Sequence, residues 1–350
     1  MKNKATIKDV AERAGVSIAT VSMVLNGKPG TRVSPETAAR VRKIAQELRY
    51  IPDRNAQLLK GRNSSMVGLV IPDIMNNYYP QMTKGILDEG AKSGYNVIVF
   101  NSNNQLKTEA FAVQTMLSLK VAGAIICGVN ESGEREDRLL GRLVQNGICT
   151  VKVDRCEFGG SWPHVTIDNR QAAYEGTKYL YEMGHRRIAL IGLKWDLNIM
   201  RDRENGYRSA MRELGLPVSE DMVYRVDLTD FMQAAHQVAR EIMQHRAQYT
   251  AVFVIPGDWL AIECIRYWKA HGLRIPEDLS VLGFDGTYMG EVTEPALTTI
   301  EQPQYAMGQE AFWLLGELMD GEAGKSVVMG HRIVRRNSVA DLAKRHRPAK

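Results

Sequence analysis

Acids, arginines and aromatic residues recur in this sequence just beyond short apolar runs. Asp73, Tyr78 and Tyr79 follow Val67–Ile71, and Asp154 and Arg155 follow Thr150–Val153. Trp195, Asp196, Asn198 and Arg203 follow Ile188–Gly192, Asp258 and Trp259 follow Ala251–Ile255, and Asp285 follows Ser280–Phe284. Carboxylate and guanidinium groups hydrogen-bond hydroxyls with defined geometry, and Tyr or Trp rings offer flat faces to C–H groups. The mixture suits recognition of a small molecule of the sugar type. Several of these residues have a structural alternative: Tyr78 and Tyr79 as helix caps, Trp259 as packing between two halves of the body. Bond-making chemistry is poorly served. Gly321–Ser326 hints at a phosphate loop, but Met319 stands at the first required glycine position and a helical pattern precedes it. No GxGxxG follows a strand, and His185 lies in a helix-to-strand turn without a nucleophile nearby in sequence. Cys127, Cys149, Cys156 and Cys264 lack paired metal-ligand spacing and read as small core hydrophobes. The expectation is a binding protein and not an enzyme, with no cofactor and no metal.

The apolar runs that carry these residues alternate with helical stretches. Val67–Ile71, Asn96–Phe100, Gly123–Cys127 and Thr150–Val153 read as buried parallel strands, with helices over Pro80–Lys92, Thr108–Ser118 and Arg135–Gln145. After Pro163 the pattern restarts with Val165–Ile167, Ile188–Gly192, Val223–Val226, Ala251–Ile255 and Ser280–Phe284. Such alternation implies doubly wound parallel sheets, and two series imply two Rossmann-like halves with a ligand cleft at the carboxyl ends of the strands.

The first sixty residues are of another kind. Ile7, Val10, Ala11 and Ala14 share one face of a short helix that Thr6 and Asp9 open as a capping box. Gly15-Val16-Ser17 makes a turn, and a second helix buries Val21, Val24 and Leu25 while turning Ile18, Ala19, Ser22, Met23 and Asn26 outward. Ser34-Pro35-Glu36 starts a third helix, which ends near Tyr50-Ile51-Pro52. Two short helices joined by a tight turn over a small apolar core form a helix-turn-helix, which presents one helix to a DNA major groove. Charge agrees: residues 1–62 hold thirteen Lys/Arg against five Asp/Glu, leaving 32 against 35 in the remainder. A basic head on a mildly acidic body suits a protein that neutralises phosphates with one end only. No run of about eighteen apolar residues exists and no apolar segment precedes the first helix, so a cytoplasmic protein without a membrane span is expected.

Ile7-Lys8-Asp9-Val10-Ala11-Glu12-Arg13-Ala14-Gly15-Val16-Ser17, Thr20-Val21-Ser22 and Asn26-Gly27 together resemble the head signature of the lactose repressor/galactose repressor (LacI) family of transcriptional regulators. Val67–Asp73, Gly184–Ile188, Gly283-Phe284-Asp285 and Pro295–Ile300 extend the resemblance over essentially the whole chain. Tyr50-Ile51-Pro52-Asp53 through Leu59 resembles that family's hinge helix. The resemblance implies an all-α helix-turn-helix head plus an α/β body of two Rossmann-like doubly wound lobes of periplasmic-binding-protein type. It places the head at 1–51, the hinge helix and linker at 52–65, and the body at 66–340. Within the body, an N-lobe of about 66–162 and 298–328 and a C-lobe of about 163–297 and 329–340 are expected, with three crossings. It also implies a homodimer on a pseudo-palindromic operator, with paired hinge helices in the minor groove, Ala56 allowing their approach and Leu59 wedging into a base step.

Candidate DNA contacts are Thr6, Ser17, Ile18, Ala19, Thr20, Ser22, Met23, Asn26, Arg32, Ser34, Tyr50, Asn55, Ala56 and Leu59. Candidate effector contacts are Asp73, Tyr78, Tyr79, Asp154, Trp195, Asn198, Arg203, Asp258, Trp259 and Asp285, of which Arg203 and Asp285 match recurrent family contacts. Three positions depart from the family pattern. Met23 stands where Arg or His is frequent, so methyl packing against thymine replaces an Arg–guanine contact. Leu228 stands where an aromatic ligand platform is common, and Gly257 where some sugar-responsive members have Asn. The resulting expectation is a repressor of carbohydrate-utilisation genes whose operator affinity a sugar-type effector changes. The alternatives are control by a phosphorylated protein partner, and a sugar receptor without DNA. Replacing Leu59 by Ala should weaken binding to a specific operator far more than to a scrambled duplex of equal length, read by fluorescence anisotropy at fixed salt. Equal losses on both DNAs would remove the wedge role.

Overall fold

The computed structural model describes residues 5–25, 33–50, 64–129, 133–156 and 160–345. It divides into two units, Met1–Ser64 and Ser65–Lys350. Most of the expected hinge segment, 52–65, lies outside the described residues.

In the first unit, α1 (Ile7–Ala14) starts at a capping box: the Thr6 amide donates to Asp9 Oδ2 at 2.7 Å and the Asp9 amide to Thr6 Oγ1 at 3.4 Å. Gly15, at φ 64°, ends the helix by turning its amide back onto the Ala11 and Glu12 carbonyls. The turn leads into α2 (Ile18–Leu25), and α3 (Pro35–Glu47) starts where Ser34 Oγ accepts the Thr37 amide at 3.2 Å. Val10, Ala11, Ala14, Val21, Val24, Val41 and Ala45 form the core, with Leu25 half-buried beside them. Arg40 Nε donates to the Ala14 carbonyl at 3.2 Å and so ties α3 to the end of α1.

The strands of the second unit are β1 (Met66–Ile71), β2 (Asn96–Asn101), β3 (Gly123–Ile126), β4 (Cys149–Val153), β5 (His164–Ile167) and β6 (Ile188–Leu193). They continue with β7 (Val223–Val226), β8 (Ala251–Val254), β9 (Ser280–Asp285), β10 (Thr298–Glu301), β11 (Val327–Met329) and β12 (Arg332–Val334). Between them run α4 (Tyr79–Lys92), α5 (Leu106–Leu119), α6 (Gly133–Gln145), α7 (Asn169–Glu182) and α8 (Asn198–Glu213). Then come α9 (Phe231–Gln244), α10 (Asp258–Ala270), α11 (Tyr288–Val292) and α12 (Gln304–Met319). One sheet has the order β11-β5-β4-β3-β1-β2 and the other β12-β10-β9-β8-β6-β7. Both therefore repeat one winding scheme. The first is parallel throughout; in the second, β12 alone runs antiparallel, against β10. The inner strands are buried on both faces, which explains their near-continuous apolar runs, whereas β2, expected to be buried, lies at the sheet edge and has no fully buried residue.

Two strands join the lobe opposite to the one expected. β5 pairs with β4, Lys152 opposite His164 and Val153 opposite Val165, so the first crossing follows Ile167 and not Trp162. β10 pairs with β9 from Thr298 opposite Leu282 to Glu301 opposite Asp285, so the second crossing follows Glu301 and not Leu297. An apolar run specifies a buried strand, but its neighbour is chosen by hydrogen-bond register far away in sequence. The third crossing separates β11 from β12.

Each lobe contains one helix pair in close approach. A Cβ at Gly85 or Gly308 would overlap the Tyr305 or Met82 carbonyl oxygen between α4 and α12, and a Cβ at Gly206 would overlap the Arg170 oxygen between α7 and α8. Replacing Gly308 by Ala should force α12 off α4 and destabilise the body by about 1–3 kcal/mol, seen as a lower midpoint in urea unfolding. An unchanged midpoint would show that the helices give way freely.

Candidate functional site

In the first unit, α2 exposes Ile18, Ala19 and Met23, while Ser22 and Thr20 are half-buried. Several expected DNA contacts also hold the local fold. Ser17 Oγ accepts the Thr20 amide at 3.1 Å and lies 2.9 Å from Thr20 Oγ1, so this pair fixes the start of the exposed helix. Thr6 and Ser34 cap α1 and α3, and Tyr50 is half-buried against the core. Capping uses one lone pair of each hydroxyl and leaves acceptor capacity for a phosphate-side contact. Asn26, Arg32, Asn55, Ala56 and Leu59 lie outside the described residues.

In the second unit, strand order reverses between β1 and β3 in one lobe and between β6 and β8 in the other, where open α/β sheets accept ligands. A cleft of about 80 Å³ lies there. Asp73, Tyr78, Tyr79 and Asp154 line it from the first lobe, and Trp195, Arg203, Trp259 and Asp285 from the second. Its polar centre is anchored at Arg203, which is 2% exposed. Arg203 Nε donates to Asn169 Oδ1 and Nη1 to the Ile255 carbonyl, each at 2.7 Å. The guanidinium carbon stands 3.6 Å over the Phe284 ring, and Nη1 is 3.9 Å from Asp285 Oδ1. Burial pushes the Asp285 carboxyl far above the ordinary carboxylate range, against the lowering effect of Arg203. Asp154 is raised as well, burial outweighing Arg155 and Arg203. Both acids have positive φ, 65° at Asp154 and 112° at Asp285. Non-glycine residues held so are strained, and strain of this kind gathers at functional sites.

Two neutral side chains join these acids. Tyr78 Oη donates toward Asp154 Oδ1 at 3.0 Å and lies 3.2 Å from Gln302 Oε1. Gln302 Nε2 donates to Asp285 Oδ1 at 2.9 Å. Around them, Trp195 Nε1 donates to Asp227 Oδ1 at 3.2 Å, and Trp259 stacks on Phe231 with centroids 3.7 Å apart. Leu228 lines the cleft where an aromatic side chain would have been a platform.

Asp258 and Asn198, both expected in the cleft, do not line it. Asp258 opens α10, and its carboxylate turns inward to accept the Thr287 amide at 2.6 Å, Thr287 Oγ1 at 3.1 Å and Thr299 Oγ1 at 2.6 Å. Burial still pushes it up to about 6. Asn198 opens α8 with Oδ1 accepting the Ile199 amide at 2.7 Å. Asp196 is exposed and pairs with Arg201 at 3.3 Å. Position just past a strand cannot distinguish a helix-opening polar residue from a cleft residue, since both occupy the same loop. Asn76, Asn104 and Gln302 line the cleft without having been expected there. Asn76 shares the Asp73–Tyr78 loop and was within reach of the same rule; Gln302 lies on a crossing, where the rule does not apply.

Residues 6–53 match the family model for bacterial regulatory proteins of the lacI family, and residues 177–339 match the periplasmic binding protein-like domain. Catabolite control protein A of Priestia megaterium is 33% identical over 337 residues, covering 95% of this chain and 98% of that protein. The solved lac repressor dimer bound to operator and the anti-inducer ONPF superimposes with a TM-score of 0.81 at 25% identity, covering 97% of this chain and all of that one. A complex of the transcriptional regulator CelR with cellobiose gives 0.70 at 27% identity, covering 95% and 99%.

Asp154 is backed by a second buried cluster. Cys127 Sγ lies 3.5 Å from Asp154 Oδ2, and two residues on, the Val129 amide donates to Glu109 Oε2 at 2.9 Å. Burial, helped by the Glu136 carboxylate, pushes Glu109 up to about 7, from 4.5 when unburied. Glu136 itself pairs with Lys152 at 3.2 Å. A folded-state value above the unfolded one means that the fold is favoured fully below about 4.5 and loses that support as pH rises through 7. The loss is on the order of 3 kcal/mol. Thermal melts at about pH 5 and about pH 8.5 should show a fall to which Asp258, Asp154 and Asp285 also contribute, and Glu109→Gln should make that fall measurably smaller. Parallel slopes for the two proteins would mean that Glu109 is ionised throughout.

Proposed function

The chain belongs to the lacI family of bacterial regulatory proteins, and from that premise we propose that it is a homodimeric, cytoplasmic repressor of carbohydrate-utilisation genes. A sugar-type effector bound between the lobes changes its affinity for a pseudo-palindromic operator. The observation that carries this reading is the cleft itself, in which buried carboxylates from both lobes, the guanidiniums of Arg155 and Arg203 and two indoles converge. Carboxylates of raised proton affinity, in hydrogen-bond contact with neutral amides and phenols, match hydroxyl groups that both donate and accept. The relatives agree in kind: one structure holds cellobiose and another an anti-inducer with operator. A space of about 80 Å³ holds a few waters, so admission of a sugar ring requires the lobes to part and close again.

The effector contacts we assign are Asp73, Tyr78, Tyr79, Asp154, Trp195, Arg203, Trp259 and Asp285, joined by Asn76, Asn104 and Gln302. For DNA, Ile18, Ala19 and Met23 are the exposed reading positions of α2, with apolar contact to thymine methyls as their chemistry. Dimerisation is supported by exposed apolar side chains on both lobes: Leu87, Val99 and Phe111 around the edge strand β2, and Tyr288, Met289 and Val292 on α11. Two heads on one duplex raise each other's effective concentration, which a single small head needs for tight binding.

Anisotropy titration on DNA upstream of its own gene, at fixed salt and with a sugar panel, tests the reading. One sugar should weaken a sequence-preferring complex, and Asp285→Asn should raise the sugar concentration for half-release by about tenfold or more, the scale of one charge-assisted hydrogen bond. Tight operator binding indifferent to every sugar would instead favour control by a protein partner.

A further inference from the structure

Gln302 lies on the second crossing, between the last residue of β10 in one lobe and the start of α12 in the other, and is 1% exposed. Its amide nitrogen reaches Asp285 of the second lobe at 2.9 Å, and its carbonyl oxygen faces the Tyr78 hydroxyl of the first lobe at 3.2 Å. Its backbone amide also donates to the Asp285 carbonyl at 3.1 Å, so the side chain has little freedom to turn away. The Tyr78 hydroxyl has one hydrogen and two oxygen acceptors, because Asp154 Oδ1 stands 3.0 Å away, with the weaker acceptor Met307 Sδ at 3.7 Å. Asp154 and Gln302 therefore share that hydrogen, and Gln302 receives it only in part.

We propose that Gln302 is the interlobe positioning residue of this protein: it straps Asp285 to Tyr78, and its bond to Tyr78 tightens when another donor satisfies Asp154. In the empty cleft the strap is partial and holds the lobes loosely together. A polyol hydroxyl donated to Asp154 releases the Tyr78 hydrogen to Gln302, so occupancy strengthens a lobe-to-lobe bond beyond the ligand's own contacts. This second half rests on the sugar-cleft reading; the first half does not.

The test is a pair of nitroxide labels on the full-length chain at the exposed positions K107C and D196C, one on each lobe, read by pulsed electron–electron resonance. The native cysteines are buried or half-buried, and the chain without the two new cysteines supplies the background. Without sugar, Q302L should lengthen and broaden the interlobe distance, Y78F should do so to a similar extent, and the double variant should go no further. A Q302L distribution equal to the parent's overturns the strap, as does Y78F leaving the parent's distance intact; Y78F keeps the comparison decisive if Q302L does not fold. Cellobiose and ribose are then added separately. Narrowing in the parent that Q302L lacks supports the occupancy half, and equal narrowing in both overturns it. Should neither sugar move the parent, the effector reading fails while the sugar-free comparison still decides the role of Gln302.

Discussion

A guanidinium group cannot shed its charge, and that of Arg203 is almost wholly withdrawn from water. It is tolerable there only because Asn169, the Ile255 carbonyl, the Phe284 ring and the Asp285 carboxylate receive it. These partners come from the start of α7, the residue after β8 and the end of β9, while Arg203 itself is carried on α8. One side chain therefore sets the relative positions of four elements at the carboxyl edge of the second sheet. Removing any single partner would leave a buried charge short of an acceptor, which costs more than the bond alone is worth.

The first lobe answers with carboxylate chemistry. Asp154 is held by Tyr78 and approached by Cys127, on a backbone that disfavours any residue larger than Gly, Asn or Asp. Strain at Asp154 and Asp285 costs about 1–3 kcal/mol each and persists only where surrounding contacts over-determine the geometry. The paired glycines at the α4–α12 contact and Gly206 at α7–α8 supply part of that rigidity by letting helix backbones meet directly. The head follows a separate economy, with a core of small aliphatic residues and polar caps that serve the fold and face outward together.

Much of this was legible in the sequence because it is written locally. Thr6 with Asp9, Gly15 and Ser34 announce helix ends within a few residues, and the structure places all three helix boundaries there. Nine strand runs were equally plain, down to Val223–Val226, but the short strands β10, β11 and β12 were not read as strands. What failed was pairing: nothing in His164–Ile167 or Thr298–Glu301 says which sheet receives it, since that depends on partners such as Lys152 and Leu282. Within the site, the residues after strands were found, but Asp258 obeys the same rule while serving Thr287 and Thr299. Gln302 escaped notice because its role arises from two lobes meeting, a relation that no local window contains.

The three crossings bear on how the protein is made. The first sheet lacks its outer strand β11 until Val327–Met329 has been synthesised, although its other five strands end at Ile167. α12, which packs on α4, is likewise absent until Gln304–Met319 has been synthesised. At typical synthesis rates the head, finished near residue 50, precedes a complete cleft by roughly fifteen to sixty seconds. During that interval the ribosome carries a finished DNA-reading module on an unfinished body. In a cell where transcription and translation share one space, each new copy brings a complete head near DNA before its body is complete.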